Sequence, residues 1–333
     1  MRTANRPEMC SVRMSNIVSE PQVSRLVLYS ATLYVKSNGA MSNQEEAMTN
    51  VSRADVPANA NSYTSSYAMG FTNRERERLM RQGAILREPT AAMFRAAGVG
   101  LGMHVLDLGS GVGDVAMLVA DIVGPTGSVL GLDRDEGSVA WATRRVTEAG
   151  YTNIRFQVCE FTEFTDERQF DALVGRFILL YLPDPAAVLT RLSARLRSNA
   201  IVAFFEPDFT VLSVLVPPLP LLRRCEEWFV AALQASGATV DMGMRLHQTY
   251  RAAGYVKARS MASHLSGCGL QPGIASYFSE TIRSVLPKIV QHNIASSDEV
   301  GIDTLSERLE TAIRAADPQW VGMRYVGAWA SKP

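Results

Sequence analysis

The stretch "VLDLGSGVGD", residues 105–114, decides the fold. Its apolar start reads as a strand, its glycines at Gly109, Gly111 and Gly113 as a tight turn, and the text after them as a helix. A strand that passes through a glycine turn into a helix brings backbone amides up to a nucleotide. The neighbouring side chains say which nucleotide. A triphosphate loop needs lysine and then Ser or Thr after its glycines, whereas Asp114 and Val115 follow here. The dinucleotide fingerprint is GxGxxG and cradles a diphosphate. This turn is GxGxG between Asp107 and Asp114. Two carboxylates oppose a diphosphate and suit a ligand that carries positive charge.

Outward from the turn, short apolar runs alternate with amphipathic ones. "GSVLGLD" (127–133), "NIRFQVC" (153–159), "FDALVGRF" (170–177) and "AIVAFFEP" (200–207) read as strands, with helical text between them. Further strands are expected over 256–264 and 321–330. This alternation predicts a Rossmann-like α/β fold, a seven-stranded mostly parallel sheet with helices on both faces. Ligands of such sheets bind beyond the carboxyl ends of the strands, where the glycine turn, "LDRD", "CEF", "GRF" and "FEPDF" all fall. Helical insertions over about 215–238 and 271–316 have no sheet of their own and read as a lid. "TNRERERLMRQGAILREPTAAMFRAAG" (72–98) reads as two helices parted near Pro89, and its "RERERLMRQ" as a solvated face.

The 333 residues carry 33 basic and 33 acidic side chains, and no basic run points to nucleic acid. The apolar run 201–222 is interrupted by Glu206, Asp208 and prolines, which makes it unfit to span a membrane. Cys10, Cys159, Cys225 and Cys268 are scattered, with no CxxC pair, and the histidines are dispersed. That pattern predicts a cytoplasmic protein with no metal site. Residues 1–60, rich in Ser, Asn and Ala, are expected to be a disordered or wrongly assigned extension of a domain over 61–333.

"VLDLGSGVGD" with "VLGLDRD" downstream resembles the glycine-rich and acidic motifs of class I S-adenosylmethionine-dependent methyltransferases, and is most similar to the ubiquinone/menaquinone-type, small-molecule branch. The resemblance covers about residues 64–264 and the last strand. It implies S-adenosylmethionine as cofactor, whose sulfonium and ammonium the acids suit. Asp107, Gly109, Ser110, Gly111 and Gly113 then hold the methionine portion. Asp133 accepts from both ribose hydroxyls, because a carboxylate offers two acceptors side by side. Arg134 flanks the adenine, Glu160 accepts from its amino group, and Phe161 packs on the ring, although aspartate is usual at the Glu160 position. Arg176 and Phe177 lie near the transferring methyl, and Tyr67 and Gln82 cover the cofactor.

Methyl transfer needs mainly alignment, and where the acceptor must lose a proton, a base. Glu206 at the end of the fifth strand and His247 in "RLHQTY" are the candidate catalytic groups, with Arg176 beside them. Glu206 and Asp208 read equally as caps or ion-pair partners. Trp228, Phe229 and Tyr250 read as core more than as pocket wall. The expected activity is methyl transfer to O, N or C of a small, partly apolar metabolite by a monomer or homodimer. A non-catalytic S-adenosylmethionine-binding protein and a nicotinamide-dependent oxidoreductase are the alternatives.

Overall fold

The computed structural model describes residues 69–70 and 72–333; the expected extension over 1–60 and Tyr67 lie outside the described residues. Helix α1 (Asn73–Ala97) starts at Thr72, whose hydroxyl accepts from Glu75 N at 3.1 Å, and stops at Gly98 in the left-handed region. It is one helix of 25 residues, not two. Pro89 removes one backbone bond, and the buried Leu86, Thr90, Met93 and Phe94 on either side hold the helix together by packing.

Five parallel strands follow: β1 (His104–Leu108), β2 (Ser128–Asp133), β3 (Ile154–Val158), β4 (Phe170–Arg176) and β5 (Leu196–Asp208). Helices α2 (Asp114–Val123), α3 (Glu136–Glu148) and α4 (Pro185–Ser193) make the crossovers that parallel pairing requires. The spatial order is β3-β2-β1-β4-β5, so the chain reverses direction across the sheet between β1 and β4. That is where a doubly wound sheet opens a crevice.

Beyond β5 come β6 (Val214–Val216), α5 (Pro220–Ala235), α6 (Met242–Ala252), β7 (Arg259–Cys268), α7 (Ile274–Gln291), α8 (Ser297–Val300), α9 (Leu305–Ala316) and β8 (Gln319–Ser331). β8 runs antiparallel to β5 over 324–331 and to β6 over 319–321. β7 pairs with β8 over the same span, so β5 and β6 share its other edge. The described sheet thus has eight strands, one more than the sequence reading expects. The addition is β6, which at three residues is too short to show a period.

Alternation sorts the side chains to two faces. Val105, Val129, Ala172 and Ala203 pack on α1, α2 and α3, while Leu106, Leu108, Leu130 and Phe204 pack on α4, α5 and α6. Helices α7 and α9 extend this second cluster through Ile282, Val285, Leu309 and Ile313.

Candidate active site

The glycine turn is built as its spacing requires. Gly109 has φ 67°, and a Cβ there would lie 2.5 Å from the Ile178 side chain. Gly113, at φ 87°, caps α2 and approaches the Phe156 ring. Asp133, at the end of β2, fixes the turn from across the sheet: Oδ2 accepts from Gly111 N at 2.7 Å and Oδ1 from Asp135 N at 2.9 Å. Each carboxylate oxygen keeps a second lone pair for a ligand.

A cavity opens above this turn. Gly109, Ser110 and Gly111 line it from β1, Asp133 and Arg134 from β2, Glu160 and Phe161 from β3, and Arg176 and Phe177 from β4. Gln82 of α1 closes it, with its amide donating to Tyr277 Oη at 3.3 Å. Of the residues expected to touch cofactor, Asp107 and Gly113 lie outside the lining. Phe177 sits at φ 56°, an uncommon conformation for a non-glycine residue, and its ring stacks on Tyr325 with centroids 5.5 Å apart.

The lining carries four carboxylates, those of Glu75, Asp114, Asp133 and Glu160, and four guanidiniums, those of Arg76, Arg78, Arg134 and Arg176. Asp107 is fully buried, and burial pushes its carboxyl well above the usual range; Arg176 pulls it back while Asp133 and Asp114 push further. Burial also raises Asp114, despite its ion pair with Arg145 at 3.0 Å, and Asp133, despite its two backbone donors. Arg176 is the guanidinium facing Asp107 and Asp114, and burial works against its charge too. Both Asp107 oxygens and Ser110 Oγ are buried without a hydrogen-bond partner of ordinary geometry. Burial is the first cause of each rise, so the acids around the turn sit where a nearby positive charge would relieve them.

Two expected catalytic groups lie elsewhere. Glu206 faces neither of the two cavities described here: its carboxylate accepts from the backbone N–H groups of Ile178 and Leu179, both at 3.0 Å, and Leu180 at 3.4 Å. It therefore caps the 3₁₀ turn Leu179–Tyr181 that follows β4. His247 is exposed on α6, because the buried face of that helix runs through Met242, Leu246, Thr249 and Tyr250. Asp208 pairs with Arg324 of β8 and accepts from Thr210. Tyr250 Oη accepts from Phe204 N and donates to Ala328 O, which ties α6 to the sheet. Trp228 is core, whereas Phe229 reaches the cavity wall.

The "RERERLMRQ" face is not solvated as read. Glu75, Arg78, Leu79 and Gln82 recur at helical spacing and turn into the cavity. Arg78 and Glu75 form a bidentate pair at 2.7 and 2.8 Å, with both side chains buried. The paired charges satisfy each other, which is what permits a polar stripe to face inward.

A second cavity of about 570 Å³ adjoins the first. Its walls come from α1, the β6 region, α5, the β7–α7 connection, α7 and β8, and are mostly apolar. Gln82, Phe177, Phe209 and Phe229 line both cavities and form the boundary they share.

A strand-end crevice with a glycine turn, a carboxylate closing the second strand and an apolar chamber beside it defines a class I S-adenosylmethionine-dependent methyltransferase. Residues 101–254 match the family described as a methyltransferase domain. The chain is 29% identical over 179 residues to aklanonic acid methyltransferase of a Streptomyces species (strain C5), covering 50% of this chain and 80% of that one. It is 32% identical over 148 residues to 2-phytyl-1,4-naphtoquinone methyltransferase of Synechococcus elongatus, covering 42% of this chain and 60% of that one. Nocamycin O-methyltransferase of Saccharothrix syringae is 30% identical over 141 residues, 42% of this chain and 46% of its own. The chain thus spans well under two thirds of this last relative.

The protein is a methyl-transferring enzyme with S-adenosylmethionine as cofactor, and the residues present fit that group. The buried Ser110 hydroxyl without a partner, the Asp133 carboxylate with lone pairs to spare and the close-approaching glycines suit a ligand with an amino-acid tail and a ribose. Among the described residues, no group of three or more His, Cys, Asp or Glu side chains is placed to hold a metal ion. No described helix is long and apolar enough to cross a membrane.

Proposed function

We propose that the first cavity holds S-adenosylmethionine and the second holds the methyl acceptor, a flat, largely apolar small molecule. The single observation that carries this reading is the shared boundary of Gln82, Phe177, Phe209 and Phe229, where a chamber walled by charged and polar groups meets an apolar one and the methyl would cross through an opening between these side chains. When bound, the cofactor supplies an electrophilic methyl group on a sulfonium.

The chain's own contribution is binding, orientation and exclusion of water. Gly109, Ser110 and Gly111 bring backbone close to the amino-acid tail, and Asp107 stands behind the turn as its negative charge. Asp133 offers its remaining lone pairs to the ribose diol. Arg134, Glu160 and Phe161 surround the adenine, and Gln82, Arg176 and Phe177 border the methyl. The aromatic frame keeps water out, which strengthens each charge interaction inside. Helices α5 and α7–α9 act as the lid over the acceptor chamber. Relatives named for aklanonic acid and nocamycin support an acceptor from secondary metabolism. The scattered free cysteines support work in the cytoplasm.

The test is to narrow the second chamber alone. Ile274→Trp should leave S-adenosylmethionine affinity unchanged by calorimetry. It should also stop transfer of tritiated methyl from the labelled cofactor into the organic-soluble fraction of a cell extract. Transfer at the wild-type rate by this variant means that the acceptor binds elsewhere.

A further inference from the structure

We propose, resting on the two-cavity reading above, that Glu226 is the base of the transfer and that the acceptor presents an acidic hydroxyl, a phenol or an enol, to it. The assignment starts from the helix. Leu222, Cys225, Glu226 and Phe229 of α5 all line the second cavity, and their spacing sets them on one face. Phe229 also lines the first cavity. Glu226 sits three residues before it, a little under one turn, about 4.5 Å along the axis.

Among the described residues lining that cavity, Glu226 is the single carboxylate and Arg81 is the other charged side chain. It is 2% exposed. Ser213 grips it twice, through N–H to Oε2 at 3.1 Å and through its hydroxyl to Oε1. Arg223 approaches Oε2 at 3.8 Å. These partners hold the carboxylate in one orientation and leave a lone pair on each oxygen. What separates Glu226 from the equally buried Glu206 is that it lines a cavity, where a bound molecule can reach its free lone pairs. Burial also raises Glu226 above the usual carboxylate range while Ser213 and Arg223 hold it down, which makes it a better proton acceptor than an exposed acid.

The type of nucleophile follows from the charge. A carboxylate beside an amine stabilises the ammonium, which has no lone pair to give. Beside a phenol or enol it accepts the O–H and takes the proton as the oxygen attacks. The oxygen forms the new O–CH3 bond, the C–S bond breaks with its electron pair left on sulfur, and the proton stays on Glu226. A carboxylate and a sulfonium become a neutral acid and a neutral thioether, so no isolated charge is left in the closed chamber.

Two readouts on the full chain test this. With the protein saturated in S-adenosylhomocysteine, 1-naphthol should bind at least about tenfold tighter than 1-methoxynaphthalene. Glu226→Leu should narrow that preference to within about threefold, and Glu226→Gln should fall between. In the tritiated-methyl assay Glu226→Gln should transfer label at least about a hundredfold more slowly, because the amide keeps the shape and cannot take the proton. Unchanged S-adenosylhomocysteine affinity reports that each variant is folded; Glu226→Gln carries the test if the leucine does not fold. An undiminished naphthol preference, or label transfer at the wild-type rate, overturns the assignment. If Ile274→Trp binds both naphthalenes as the wild type does, the acceptor chamber itself is wrong and Glu226 falls with it.

Discussion

Replacing Glu206 by Gln tests whether a buried acid at a strand end serves chemistry or architecture. The wild-type carboxyl is fully buried and accepts from three backbone N–H groups, and burial outweighs those donors to lift its pKa to about 7. Unfolded, it titrates near 4.5. Because the folded value is the higher one, the fold favours the protonated acid. Its contribution is full below about pH 4.5 and is lost as pH rises through 7. Integrating between pH 5 and pH 8, this one group withdraws about 2.5 kcal/mol of stability. Glutamine keeps the Oε1 acceptor and does not titrate, so that loss should vanish. Urea unfolding of both proteins at pH 5 and pH 8, extrapolated to water, measures it. The stability difference between them should move by about 2.5 kcal/mol in favour of the variant over that range. Methyl transfer by the folded variant should be unchanged. A difference that is the same at both pH values, or a selective loss of turnover, refutes the capping role.

Asp133→Ala should weaken S-adenosylmethionine binding at least about tenfold, because it removes charge-assisted bonds worth roughly 1.5–3 kcal/mol and also releases Gly111 and Asp135; isothermal calorimetry reads this directly. Arg78→Ala removes the bidentate partner of the buried Glu75 carboxylate and should cost about 3–5 kcal/mol in a urea titration, with the double variant Glu75→Leu/Arg78→Met recovering much of it. His247→Ala, on the exposed face of α6, should leave turnover unaltered in the tritiated-methyl assay.

The sequence discloses those parts of the molecule whose signals are local. The five parallel strands, the glycine turn and the carboxylate closing β2 follow from period, spacing and turn chemistry within a few residues of each other. So do the cavity positions of Arg134, Glu160, Phe161, Arg176 and Phe177, which sit at strand ends of one sheet. Glu206 has the same local signature, and what separates it is the 3₁₀ turn after β4, whose unpaired N–H groups fold back onto it across 26 to 28 residues. His247 is one residue away from the buried stripe of its helix, a shift that the apolar spacing Met242, Leu246, Thr249, Tyr250 already contained.

The polar stripe of α1 is harder to read. Glu75 and Arg78 are inward because they pair, and a pair of charges at i and i+3 looks the same on a solvated face. The acceptor chamber has no local signature at all. Arg81, Ser213, Glu226, Gly273 and Tyr325 come from segments far apart in the chain, and only the antiparallel return of β8 beside β5 and β6 gathers them.

The division of labour between the two adjoining cavities is read out by a crystal structure with S-adenosylhomocysteine. The ribose should rest on Asp133 and the sulfur should face the opening framed by Gln82, Phe177, Phe209 and Phe229. Cofactor density in the apolar chamber, or a sulfur turned away from that opening, would contradict it.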